Sequence, residues 1–172
     1  VIAAAVGTLA GPLHGGANQR VVEMLADIGR PERVRAWLDK KLAAKAKIWG
    51  MGHREYKVKD PRATILQKMM RELMDKRGGN MGLLFETALA LEQACEEKLA
   101  PKGVYANVDF YSGILYREMG IPPDQFTSIF AVARSAGWLA HWREQLSDNR
   151  IFRPTQMYTG ESPRSYVPID MR

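Results

Sequence analysis

Asp60-Pro61-Arg62-Ala63-Thr64-Ile65-Leu66-Gln67-Lys68-Met69-Met70-Arg71-Glu72-Leu73-Met74, closed by Arg77-Gly78-Gly79-Asn80, is a helix with both ends written into it. Asp60 is placed to cap the first N–H groups, and Pro61 fits the first helical position, where no amide hydrogen is needed. Ile65, Leu66, Met69, Met70, Leu73 and Met74 repeat at helical spacing and predict the buried face. The same grammar extends in both directions. Upstream, Val21, Val22, Leu25 and Ile28 form a stripe stopped by Gly29. Pro31 then opens a second helix with Val34, Trp37, Leu38 and Leu42 inside, giving an αα-hairpin. Downstream, helices are predicted from about Gly82 to Leu99, before Pro101, and from about Ser112 to Met119, before Gly120 and Pro122-Pro123. From Asp124 to about Leu146 the spacing of Phe126, Ile129, Phe130, Ala133, Gly137 and Ala140 predicts a long, largely buried helix. Arg153-Pro154, Gly160, Pro163 and Pro168 then predict an extended tail. Almost no stretch alternates with period two, so the fold class is mainly α. There is no internal repeat and no low-complexity segment.

The 172 residues, 46% of them hydrophobic and 26% charged, suffice for one compact core and lack the composition of a disordered chain. The single cysteine, Cys95, lies in a helical pattern and is expected in the core. It excludes an internal disulfide and fits a reducing compartment, so a cytoplasmic protein is expected. The opening Val1-Ile2-Ala3-Ala4-Ala5-Val6 is too short to span a bilayer and carries no basic residue, which predicts neither signal peptide nor membrane anchor. Being apolar on all sides, it reads as the end of a buried helix with partners upstream. Net charge is +6, concentrated between Arg30 and Arg77, where fifteen Lys or Arg face six Asp or Glu. Such a region binds an anion. Without a zinc motif, an RNP-like aromatic motif or a clear helix-turn-helix, nucleic acid has no advantage over a phosphate-bearing small molecule.

Three segments carry chemistry. Gly11-Pro12-Leu13-His14-Gly15-Gly16-Ala17-Asn18 puts a histidine in a glycine-bracketed turn before a helix, where free N–H groups can meet developing negative charge. Gly50-Met51-Gly52-His53 repeats the arrangement inside the basic region, with Arg54, Lys57, Lys59 and Asp60-Pro61-Arg62 after it. Asn107-Val108-Asp109-Phe110-Tyr111-Ser112-Gly113 sets one acid among apolar groups, where desolvation raises a carboxyl's pKa and strengthens it as a base. Each also has a plainer reading: a capped turn for His14, a solvated basic loop for Arg54 and Lys59, and a helix cap for Asp109. Arg134, within Ala133-Arg134-Ser135-Ala136-Gly137-Trp138, needs an anionic partner if its helix is buried. His141 reads as a hydrogen-bonded core histidine, and Arg153 alone reads as a surface residue.

In this order and spacing, Gly-Pro-Leu-His-Gly-Gly-Ala-Asn, Gly-Met-Gly-His-Arg-Glu-Tyr with Asp-Pro-Arg, Asn-Val-Asp-Phe-Tyr-Ser-Gly, Ala-Arg-Ser-Ala-Gly-Trp and Arg-Pro resemble the citrate synthase family over nearly the whole chain. The resemblance implies condensation of acetyl-CoA with oxaloacetate to citryl-CoA and its hydrolysis, a step of the tricarboxylic acid cycle, by a multi-helical homodimer. It implies that Asp109 is the base for the acetyl methyl, that His14 stabilises the enol, and that His53 polarises the oxaloacetate ketone. Arg62, Arg134 and Arg153 would bind oxaloacetate carboxylates, with Arg153 entering the neighbouring subunit. Gly50, Met51 and Gly52 would form the adenine-recognition loop, with Lys57 near the CoA phosphates. No metal and no cofactor are implied, since acetyl-CoA is a substrate, and neither nucleic acid nor a membrane is a partner. Residues 16–124 resemble the family's small domain, and residues 1–15 and 125–172 resemble parts of its large one. The family's chains are about twice as long, and an upstream histidine that binds oxaloacetate has no counterpart here. The motifs are shared with 2-methylcitrate synthase, which uses propionyl-CoA. From another class, a non-catalytic CoA-binding or dimerisation module is the competing reading.

Overall fold

A computed structural model describes residues 1–11, 15–80 and 82–172. His14 therefore lies outside the described residues. Seven α-helices are present among those described: α1 (Ile2–Leu9), α2 (Ala17–Ile28), α3 (Val34–Ala43), α4 (Pro61–Lys76), α5 (Gly82–Leu99), α6 (Val108–Glu118) and α7 (Phe126–Ser147). The one β-bridge among them pairs Met51 with Ala106. No described helix is long and apolar enough to cross a membrane.

The local signals hold where they are strongest. Asp60 caps α4, accepting a hydrogen bond from the Arg62 amide, and Pro61 sits in the first turn. Gly29 ends α2 at φ +81°, a conformation that glycine adopts without strain. The helix carrying Asp109 begins four residues before the expected Ser112. Asn107 is its cap, accepting from the Asp109 amide at 3.0 Å, and Ser112 is buried inside the helix. Asp109 itself therefore is not the cap.

Helix α6 is the central element, packed between α2 and α4, while α3 lies on α5. Phe110, Tyr111 and Ile114 of α6 are fully buried with Val21, Leu25 and Ile28 of α2, Leu38 of α3, Met70 of α4, and Phe85, Leu91 and Cys95 of α5. Each of the larger apolar side chains contributes about 1.5–3 kcal/mol by leaving water. Burial also pushes the Cys95 thiol up to about 12, with nearby Glu92 and Glu96 adding to the effect. The thiol is thus a core group, as its pattern suggests. The α2–α6 crossing is close because Gly113 has no side chain. A Cβ there would lie 2.5 Å from the Asn18 carbonyl oxygen.

Three burial expectations fail for one reason. Ile65 and Met69 are 59% and 47% exposed: Met70 and Met74 are buried and Leu66 and Leu73 pack partly buried against the core, so the six-residue apolar face is wider than the surface that covers it. Helix α7 has the expected length, but Phe126 is its one buried residue, and Val132, Leu139, Trp142 and Leu146 are exposed. Its packing comes from α1, which buries only Leu9 in return. His141 is not a core residue; its side chain is exposed and lies 3.3 Å from Glu144. Periodicity records which face is apolar, but the covering element must come from elsewhere. Beyond Ser147 the chain is extended and exposed to a last turn at Ile169–Met171.

Gly113→Ala forces an α2–α6 clash against backbone. It is expected to lower stability by about 1–3 kcal/mol, read from denaturant midpoints; an unchanged midpoint would mean that the crossing can open freely.

Candidate active site

The site is assembled where the glycine turn meets the entrance to α6. The Gly52 amide donates to the Tyr105 carbonyl at 2.7 Å, and the Asn107 amide donates to the Gly50 carbonyl at 2.9 Å. Gly50 has φ +77°, and a Cβ there would stand 2.9 Å from Cα of Phe110. Only glycine lets the turn lie this close to α6. Asn107 then joins the two pieces through its side chain. Its Oδ1 accepts from the Asp109 amide, and its Nδ2 donates to the Gly52 carbonyl at 2.8 Å. A side-chain amide supplies both a donor and an acceptor, which neither a carboxylate nor a hydrophobe can do.

Asp60 makes the second link. Its carboxylate is 1% exposed and accepts from the Arg62 amide (2.9 Å), Arg62 Nε (3.0 Å), Arg62 Nη2 (2.8 Å) and the Val108 amide (3.1 Å). Burial alone would push this carboxyl up, but the hydrogen bonds from the Arg62 side chain and from the two backbone amides outweigh it, holding the group below its usual range. The same bond to Asp60 raises the Arg62 guanidinium against the opposing effect of burial, with weaker help from Asp109. Burial, and then the Asp109 charge, push the Tyr116 hydroxyl up.

These constraints open onto a cleft of about 700 Å³ lined by Gly50, Met51, Gly52, His53, Arg62, Asp109 and Arg134. Most of the residues singled out from the sequence are therefore brought together. The His53 ring has a defined tautomer. Its Nδ1 accepts from the Glu55 and Tyr56 amides at 3.1 and 3.2 Å, so the neutral ring carries its proton on Nε2. Arg62 Nη2 lies 3.3 Å from that nitrogen, donor facing donor. An oxygen seated beside the pair, within reach of both N–H groups, would accept from both. The Tyr56 ring lies against His53, with centroids 4.6 Å apart, and Arg62 sits 5.9 Å from the same ring. Across the cleft, Arg134 is placed over Phe130 at 4.8 Å.

Two predicted residues lie elsewhere. Lys57 is exposed beside Gly103 and does not line the cleft. Besides Arg62 and Arg134, the cations that do are Lys47 and Arg54, the first stacked on Trp49 at 3.9 Å. Arg153 is in the exposed tail and does not reach the cleft of its own chain. Sequence reasoning also passed over Lys47 and Trp49, just before the glycine turn, and gave Tyr56, quoted within the motif, no role of its own. Among the described residues no group of three or more His, Cys, Asp or Glu is arranged to hold a metal ion.

Residues 1–155 match the family model for the C-terminal domain of citrate synthase. The chain belongs to the citrate synthase family. It is 62% identical over its whole length to the citrate synthase of Acidithiobacillus ferridurans, covering 45% of that protein, and 57% identical to that of a Synechocystis species, covering 43%. Among solved structures, it resembles the citrate synthase of Thermotoga maritima with TM-score 0.84 and 43% identity, covering 99% of this chain and 46% of that one. It resembles the Thermoplasma acidophilum enzyme, solved as a ternary complex with carboxymethyl coenzyme A and oxaloacetate, with TM-score 0.85 and 37% identity over the same shares. The chain thus spans less than half the length of these citrate synthases.

The Asp60 carboxyl has a lower pKa folded than its ordinary 3.8, so its stabilisation is complete above that value and is lost as pH falls through the folded one. Asp60→Asn is expected to cost about 1.5–3 kcal/mol at pH 7, with the gap closing below pH 3.8. Unfolding titrations at pH 7 and pH 3 measure it, and an equal gap at both would show that the charge is not the source.

Proposed function

We propose that this chain supplies the reacting centre of a citrate synthase, in which acetyl-CoA and oxaloacetate condense and citryl-CoA is hydrolysed. The observation that carries the reading is the donor pair of His53 Nε2 and Arg62 Nη2, 3.3 Å apart, in one cleft with Asp109. A 2-oxo dicarboxylate fits it chemically. Its ketone oxygen accepts the His53 proton, its carboxylates take the free N–H groups of Arg62 and the guanidinium of Arg134, and planar guanidinium forks suit that task.

Asp109 then removes a proton from the acetyl methyl, a weak acid that yields only if charge on the thioester oxygen is stabilised at the same moment. His14 is assigned that stabilisation on its motif. The resulting enol carbon attacks the ketone carbon, and the ketone oxygen takes up a proton from His53. Water finally cleaves the thioester to citrate and CoA. On this reading Lys47 and Arg54, with the turn at Gly50 to Gly52, receive the anionic CoA, and Lys57 stands further out. Residues 16–124 act as one domain, while 1–15 and 125–172 belong to another; the pairing of α1 with α7 supports that division. The exposed tail supports a homodimer in which Arg153 serves the neighbouring site, and the lone Cys95 fits a cytoplasmic setting.

A chimera tests this: the chain replaces the matching 45% of the Acidithiobacillus ferridurans protein, and oxaloacetate-dependent release of CoA thiol from acetyl-CoA is followed. The chimera is expected to turn over. Asp109→Asn should lower kcat by about 10²–10⁴-fold with little change in the KM for oxaloacetate; near-normal turnover would remove Asp109 as the base. Mixed with an Arg153→Ala chimera, it should regain activity in heterodimers, which hold one site free of both lesions. No recovery in a mixture shown to contain heterodimers would refute the role of Arg153.

A further inference from the structure

Behind the cleft lies a polar cluster that the chemistry above does not use. Glu92, on α5, is 5% exposed in the core. Its Oε2 accepts from the Tyr111 hydroxyl at 2.5 Å and from Gln67 Nε2 at 3.0 Å. Its Oε1 faces Lys59 Nζ at 2.7 Å as an ion pair, without an aligned hydrogen bond. Lys59 Nζ also donates to Gln67 Oε1 at 2.9 Å, and Gln67 Nε2 reaches the Tyr111 oxygen at 3.0 Å. Four stretches of chain thus close one ring of contacts.

A buried ion pair is weak evidence for stability, since desolvation offsets most of its attraction, but it imposes a definite geometry. The geometry here concerns the site. Lys59 directly precedes Asp60, which holds Arg62. Tyr111 follows Asp109 by two residues, so on α6 it points to the opposite side, into the core, while Asp109 lines the cleft. On the cleft side the same two segments are joined by the Val108 amide to the Asp60 carboxylate at 3.1 Å and by the Asp60 amide to the Ala106 carbonyl at 3.2 Å. Two neighbouring bonds along one edge form a hinge about which the segments can still pivot. A second attachment behind removes that freedom.

We propose that Glu92 is a positioning residue which, through Lys59 and Tyr111, fixes the spacing and tilt of the Arg62 segment relative to Asp109; the kinetic part rests on the function proposed above. In the chimera, Tyr111→Phe releases the α6 side and is expected to lower kcat about tenfold with the oxaloacetate KM nearly unchanged. Lys59→Met releases the other side and is expected to raise that KM about tenfold with less effect on kcat. Glu92→Gln should do both, since small misplacements near reacting atoms carry costs of this order. As a control, Arg35→Met breaks the exposed ion pair to Glu97 on the same helix (2.9 Å) and should alter neither constant. Hydrogen exchange gives a readout independent of activity. The amides of residues 60, 62 and 107–110 should exchange faster in Glu92→Gln, and those of 21–28 should not. Kinetic constants of all three variants within twofold of the parent, or exchange quickened uniformly along the chain, would overturn the proposal. If Glu92→Gln fails to fold, Tyr111→Phe, which removes one atom, carries the same two readouts. A parent chimera without activity would refute the proposed function, and the exchange pattern would still decide whether the brace exists.

Discussion

The Asp60 carboxylate is the constraint on which the rest of the site depends. It ends a basic loop, begins a helix and sits against the first turn of another, almost wholly out of water. A buried carboxylate survives only where its lone pairs are taken, and here four N–H groups take them. Because two of those donors belong to the Arg62 side chain and one to the entrance of α6, satisfying a single buried charge aims a guanidinium and anchors the helix that carries Asp109. The capping role read from Asp60-Pro61 is real but is the smaller part of what the residue does.

The glycine turn solves a complementary problem. A loop that must bring His53 to Asp109 has to pass over α6 at backbone contact distance, which any side chain at position 50 would prevent. Asn107 then converts proximity into register by bonding to both partners. The ring tautomer of His53 follows from the same tightness, since two backbone N–H groups are spent on Nδ1 and the remaining N–H is turned toward Arg62. Rigid backbone around a few donors is how a site holds an oxygen without reorganising when charge develops on it.

Much of this was legible because it is local. The ends of α4 and α5 lie where Asp60, Pro61, the Gly78-Gly79 pair and Pro101 put them, and the His53, Arg62, Asp109 and Arg134 positions share one cleft as their motifs imply. Lys57 shares the loop of His53, but its side chain lies beside Gly103, outside the cleft. Lys47 and Trp49, just before the glycine turn, carry no motif of their own. The start of α6 was misplaced because Ser112 looks like a cap, whereas Asn107 wins by bonding on two sides.

What the sequence by itself determined is helix content and most helix ends, and it put forward the candidate site residues; all of these depend on neighbours within a few positions along the chain. Tertiary structure alone decided which apolar faces are covered, so that Met70 is buried while Ile65 and the length of α7 are not. It alone also joined Glu92 to Lys59 and Tyr111. The physical reason is range. Caps and turns are satisfied within one turn of helix, but a buried charge or an apolar face is satisfied by whatever packs against it, and that partner is set by the path of the whole chain.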